Sequence, residues 1–208
     1  MPQIEDGGAL DADAIRACVE GQLIGREIVF LERTGSTNDV VMNAASAGAR
    51  EGLVVFAEEQ TAGRGQYGRA WNSVAGKGLW FSVLLRPNLP LAHSARLTDW
   101  LARTVSSTIA REFDLAPVVK QPNDIYLGEK KVGGVLVEMR ALPGQPHAAI
   151  AGIGINLNHQ SEDFPDELRE TATSVCLATG HAILRAELAV ELLRALDGSY
   201  PQMGFLPN

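Results

Sequence analysis

Cysteine is scarce. Cys18 and Cys176 are the whole complement of a 208-residue chain. Two thiols so far apart offer neither a disulfide framework nor metal-ligand spacing, so a reducing compartment and no resident metal are expected. Long apolar runs are missing too: none approaches the roughly 20 residues that span a bilayer. The start, MPQIEDGGALDADAI, lacks the basic segment and apolar run of a secretory signal. The expectation is a cytoplasmic protein with no membrane partner. Positive charge is in deficit, 18 Lys+Arg against 25 Asp+Glu for a net −7. That balance argues against broad nucleic-acid binding, which draws on many Lys/Arg–phosphate contacts, so no DNA partner is expected. Repeats, low-complexity tracts and a clear linker are all absent, and residues 1–208 read as a single domain large enough for a full core.

What is there alternates strand and helix signals. Residues 11–22 read as a short helix that Asp11 caps, before a strand at 27–32. Residues 38–47 read as a helix, with Ser36 and Thr37 as capping candidates and Gly48 closing it. Residues 53–60 and the nearly continuous apolar run 79–85 read as strands, the second covered on both faces. Pro87 and Pro90 mark a turn, and 91–113 is a long amphipathic helix. Short strands follow at 118–120, 125–127, 130–132, 135–139 and 148–156, separated by tight breaks at Gly128 and Gly133/Gly134. Such spacing favours hairpins over long crossovers. A last helix covers 186–196, and the tail reads as irregular. The expected fold class is α+β, a mixed, mostly antiparallel sheet flanked by helices.

Residues 61–78, TAGRGQYGRAWNSVAGKG, hold Arg64, Arg69 and Lys77 and no carboxylate. A basic, glycine-rich loop in an acidic protein suits an anion, because backbone N–H groups and guanidinium forks both hold phosphate or carboxylate. An ordinary solvated loop is the competing reading. Gly63, Gly65 and Gly68 match G-x-G-x-x-G, but a dinucleotide fingerprint must lead straight into a helix, and RAWNSVAGKG is too broken for one. Gly76-Lys77-Gly78 fails as a phosphate loop, since no Ser or Thr follows the lysine.

Three further constellations stand out. In KQPNDIYLGEKKVGGVLVE, Pro122 favours an extended Gln121 and helps aim Asn123 and Asp124. If Asp124 and Lys131 sit on adjacent strands, a carboxylate and an ammonium share one pocket; an exposed hairpin is the alternative. In GIGINLN, Gly152 and Gly154 open a slot in an apolar strand, with Asn156 at its end, unless tight sheet packing explains them. In Thr34-Gly35-Ser36-Thr37-Asn38, helix capping accounts for the small polar residues, and reading a polar ligand edge is the sharper alternative.

Taken in order, STN, EEQTAGRGQYGRAW, K-x-PND, K-x-x-GGVLVE and GIGIN resemble the motif series of the biotin–protein ligases, from about Gly25 to Asn158. No single piece is specific; the ordered set is. The resemblance implies a fold of the biotin–lipoate ligase catalytic domain, similar to class II aminoacyl-tRNA synthetases. It implies ATP, biotin and Mg2+ as the small molecules, biotinyl-5′-adenylate as intermediate, and the biotin carboxyl carrier domain of a carboxylase as acceptor. Ser36, Thr37, Asn38 and Gln60 would hold the ureido ring. Arg64, Gly65 and Gln66 would fold over biotin and the adenylate, and Gly134, Gly152 and Gly154 would wall the pocket. Lys131 would meet the biotin carboxylate and the α-phosphate, with Arg69 adding charge stabilisation and Asp124 receiving the acceptor lysine's proton. Arg64, Arg69, Trp71, Lys120, Asn123 and Asn156 would face the nucleotide. A homodimer made by sheet extension is among the assemblies the resemblance allows.

Two departures stand against the family pattern. Gln66 replaces an arginine of GRGRxGR, which predicts weaker retention of the adenylate unless Arg69 or Lys77 compensates. Gln121 replaces the tryptophan of KWPND, with loss of some pocket wall. The start is expected to be too short for the DNA-binding domain of the repressor members, and the end to fall before a small SH3-like domain. Two rivals carry different outcomes: a lipoate or octanoate ligase or transferase on the same fold, and a biotin or adenylate sensor that does not turn over.

Overall fold

The computed structural model describes residues 8, 10–142 and 147–204. Its strands are β1 (Glu27–Thr34), β2 (Leu53–Gln60), β3 (Gly78–Leu85), β4 (Pro117–Lys120), β5 (Asp124–Leu127), β6 (Lys130–Arg140) and β7 (Ala148–Asn156). They form one sheet in the order β1-β2-β3-β7-β6-β5-β4. Helix α1 (Ala12–Cys18) precedes β1, and α2 (Thr37–Ser46) is the crossover to β2, which runs parallel to β1. Every other neighbouring pair is antiparallel. The fold is therefore α+β, a mixed and mostly antiparallel sheet flanked by helices, as the sequence led us to expect.

The sheet is covered on both faces because its central strands are apolar at successive positions. On β3, Leu79, Phe81, Val83 and Leu85 enter the main core, beneath α3 (Ser94–Phe113) and α5 (Arg185–Ser199). Leu84 faces the other way, joining Val55, Ile150, Val41 and Ala45 under α2. The second face is only partly filled. Where α2 begins, β3 presents Ser82 and β7 presents Gly152 in register with it, and the helix covers a polar, glycine-lined strip instead of packed aliphatics.

Local signals account for most boundaries. Asp11 Oδ1 accepts from the Asp13 and Ala14 amides and starts α1, which ends at Cys18, four residues before the expected limit. Residues 91–93 form a 3-10 turn that leads into α3, and α3 stops at Asp114 in the left-handed region. The strands expected at 130–132 and 135–139 are one strand, β6: Gly133 and Gly134 pair with Ile155 and Gly154 without leaving the ladder. Missing side chains there mark a close approach, not a turn. The tail is helical through Ser199 and then a 3-10 turn at Pro201–Met203, with 205–208 outside the described residues. Among the described residues no helix is long and apolar enough to cross a membrane.

Candidate active site

A cavity of about 520 Å³ opens on the partly filled face, between the start of α2, the 61–78 loop, the β5–β6 hairpin and the far end of β7. Its lining holds three cations, Arg64, Arg69 and Lys131, and a single carboxylate, Asp124. Arg64 and Lys131 are paired with carboxylates, so the cation left open to an anionic occupant is Arg69, whose guanidinium has no partner among the described residues.

One end is a polar ring. Ser36 is the N-cap of α2, yet its hydroxyl makes no capping bond, so capping does not explain this motif. The next two side chains turn inward instead. Thr37 Oγ1 lies 3.1 Å from Gln60 Oε1 and 2.7 Å from Ser82 Oγ, and the Thr37 amide donates to Gln60 at 2.8 Å. Asn38 Oδ1 accepts from Ser82 Oγ at 2.6 Å, and its Nδ2 donates to Glu138 Oε2 at 2.6 Å. A Cβ on Gly152 would run into Asn38 Oδ1, and one on Gly154 would come within 2.7 Å of the Trp71 ring. The glycines of β7 thus make room for residues that line the cavity, which is the slot expected of them.

At the other end Lys131 Nζ meets Asp124 Oδ1 at 2.6 Å and stands 5.2 Å from the centre of the Trp71 ring. The pair lies on adjacent strands, and Gly134 keeps its Cβ position open between the two side chains. The Gln121–Pro122 peptide ahead of it is cis. Asn123 Nδ2 donates to the Val135 carbonyl. Lys131 is also held by its backbone: its amide donates to Thr171 O, and Thr173 N donates to its carbonyl. Asn156 Nδ2 donates to Thr173 O, tying the same segment to β7.

The glycine-rich loop is a small hairpin. Arg64 and Ala70 form an antiparallel bridge, Gly65 N donates to Arg69 O, Trp71 N donates to Gly63 O, and a 3-10 turn at Gln66–Gly68 makes the tip. Arg69 is exposed, and its guanidinium has no partner among the described residues. Arg64 is held by two carboxylates: it donates to both oxygens of Asp39, at 2.9 and 2.6 Å, and to Glu138 Oε2 at 3.0 Å. Hydrogen bonding from Arg64 keeps the Asp39 carboxyl below the usual carboxylate range.

Of the residues singled out in the sequence, Ser36, Thr37, Asn38, Gln60, Arg64, Gly65, Gln66, Arg69, Trp71, Gln121, Asn123, Asp124, Lys131, Gly134, Gly152, Gly154 and Asn156 all line this cavity. Lys120 does not; its Nζ sits over the Tyr126 ring at 4.0 Å and near Glu129. Lys77 is turned to Asp163 at 3.1 Å. Sequence reasoning missed the wall formed by His159, Phe164, Leu168, Thr171 and Ala172, which lies in an irregular stretch without a motif. It also missed Glu138, one acid on a strand of alternating character.

The family model for the biotin/lipoate A/B protein ligase family matches residues 30–156. The chain belongs to this family. Among curated relatives it is similar to a bifunctional ligase/repressor BirA of Bacillus spizizenii, 37% identical over 207 residues, 98% of this chain and 64% of that protein. It is also similar to a biotin–[acetyl-CoA-carboxylase] ligase of Mycobacterium tuberculosis, 33% identical over 85% of this chain and 66% of the relative. The ligase-family chain thus spans less than two thirds of the length of either. Among solved structures, the biotin protein ligase from Aquifex aeolicus in complex with biotin and ATP superposes with a TM-score of 0.74 and 30% identity, over 86% of this chain and 72% of that one.

Proposed function

We propose that this ligase-family chain joins biotin to ATP as biotinyl-5′-adenylate and passes the biotinyl group to a lysine of a carboxylase's biotin carboxyl carrier domain. The observation that carries the reading is the pairing of two unlike ends in one cavity: a neutral hydrogen-bonding ring at Thr37, Asn38 and Gln60, and the Lys131–Asp124 pair 2.6 Å apart. A ureido ring is neutral and rich in donors and acceptors; the carboxylate at the other end of biotin is an anion. The names of the relatives support biotin and ATP as substrates and a carboxylase as acceptor.

In the first step a biotin carboxylate oxygen attacks the α-phosphorus, the P–O bond to the outer phosphates breaks, and pyrophosphate leaves. Charge builds on the phosphoryl oxygens, and Lys131 and Arg69 stand where cationic donors lower that cost; alignment of the two anions supplies most of the remainder. Magnesium enters this reading with ATP, as part of the substrate. In the second step the acceptor amine attacks the mixed anhydride, AMP leaves, and the amine's proton passes to Asp124 or solvent. Trp71, Asn123 and Asn156 face the nucleotide, and the hairpin over the cavity keeps water from the adenylate.

Incubation with biotin, MgATP and a carrier domain is expected to add one biotinyl mass to the carrier lysine. Gain with lipoate and none with biotin, or biotin binding without pyrophosphate release, would count against it. Lys131→Ala is expected to slow pyrophosphate release by roughly 10²–10³-fold, the usual cost of removing a donor aimed at developing charge. Near-normal release with an intact fold would remove Lys131 from the chemistry.

A further inference from the structure

Arg64 reads in the sequence as an anion receptor and lines the cavity; the structure also gives it two carboxylate partners. Both Asp39 oxygens and one Glu138 oxygen take its guanidinium, so that cluster carries two negative charges against one positive. A guanidinium whose charge is already met by two carboxylates is a weaker receptor for an incoming anion. Arg64 and its two partners lie on three different elements: the loop hairpin, the first turn of α2 and β6. Glu138 Oε2 is also the acceptor of the Asn38 amide, 2.6 Å away, and Asn38 lies over the Gly152 slot. One carboxylate oxygen therefore joins the stem of the loop to the polar ring of the cavity.

We propose that Asp39 and Glu138 are positioning residues that dock the stem of the loop through Arg64 before any ligand arrives, leaving the Gln66–Gly68 tip as the moving part. The tip fits that division: Tyr67 is 88% exposed with a backbone φ of 59°, a conformation that a bulky residue rarely holds, and the Arg69 guanidinium at its base has no partner among the described residues. The stem carries the Gly65–Arg69 and Trp71–Gly63 backbone bonds and the Thr61 and Ala62 amides donated to Thr34 O and Gly35 O. The proposal rests on the ligase reading only for which ligand it names.

The double variant Asp39→Asn with Glu138→Gln tests it, with trypsin as probe. Cleavage after either arginine needs its side chain free to enter the protease pocket; that of Arg64 is held by two carboxylates, and that of exposed Arg69 is not. In the unliganded protein, the ratio of cleavage after Arg64 to cleavage after Arg69 is expected to rise about tenfold in the double variant, since two half-exposed ion pairs together contribute about that factor. General loosening would raise both sites together. An unchanged ratio overturns the proposal. Biotin affinity gives a second reading of opposite sign. If the carboxylates act only as a negative field, neutralising them tightens biotin binding. If they dock the stem, binding weakens several-fold, and a tighter variant overturns the proposal. Should the wild-type protein take up no biotin, the ligase reading fails, while the cleavage ratio still decides the docking.

Discussion

His159 sits at the wall of the cavity with 1% of its surface exposed. Its ring stacks on Phe164 at 4.9 Å and meets Trp80 edge-on at 5.9 Å, and its Nδ1 has no partner among the described residues. Burial pushes the imidazole down to about 4 from an ordinary 6.5; Asp163 pulls it back up and Lys77 pushes it further down. The folded ring is neutral at pH 7. Between pH 6.5 and 4 the unfolded chain takes up a proton that the folded one refuses, so stability rises with pH across that window and is lost as the solution is acidified. By pH 5 the loss from this one group is about 2 kcal/mol, at 1.36 kcal/mol per pH unit. Urea unfolding near neutrality and at pH 5 is expected to show it, and His159→Phe to flatten the difference. A slope that persists in the variant belongs to another group. Nothing in the sequence marks His159, because its character comes from Phe164 and Trp80, which reach it only through the fold.

At the scale of elements, the loop hairpin shows how far sequence reaches. Its composition is legible: glycines, three cations and no acid describe a cover for an anion. Its connections are not. The partners of Arg64 lie at positions 39 and 138, separations that no local pattern encodes, so the sequence shows a cation for an anion and not the two carboxylates that hold it. The α2 motif fails in a related way: Ser, Thr and Asn are right for a cap, and the inward turn of Thr37 and Asn38 depends on Ser82 and Glu138 from other strands. The β5–β6 hairpin was more readable, since Asp124 and Lys131 are close enough in sequence for strand register to bring them together. Gln66 lines the cavity from the tip, where relatives carry arginine by the resemblance noted above. Gln66→Arg is expected to slow the escape of free adenylate several-fold, by the added charge-assisted bond. Single-turnover assays of released adenylate read it, and an unchanged escape rate would detach the tip from retention.

For the molecule as a whole, the buried Arg185–Glu58 pair joins parts that are otherwise far apart. Arg185, 3% exposed, holds both oxygens of Glu58 and donates to the carbonyls of Gly8 and Gly78. Glu58 in turn accepts from the amides of Leu10 and Gly76. Burial works to raise the Glu58 carboxyl, and Arg185 overrides it, holding the group below the ordinary value. One pair thus fixes the N-terminal segment, β2, the base of the loop and α5. Arg185→Met strands a half-buried carboxylate and is expected to cost about 3 kcal/mol of stability, seen as a lower urea midpoint. A midpoint within error of wild type would make the pair dispensable. The sheet itself was the most legible part of the molecule, because apolar runs are local, although Gly133 and Gly134 read as a break inside the single strand β6; the closing ion pairs were the least.

The backbone grip on Lys131 has a further consequence. Its amide is bonded to Thr171 and its carbonyl to Thr173, so the residue whose ammonium meets Asp124 is pinned by a segment forty positions downstream. Exchange of that single amide with heavy water therefore reports whether the wall at 171–173 is seated. A ligand that presses on Phe164 or Ala172 would be read out at Lys131 as a change in deuterium uptake, before any chemistry occurs.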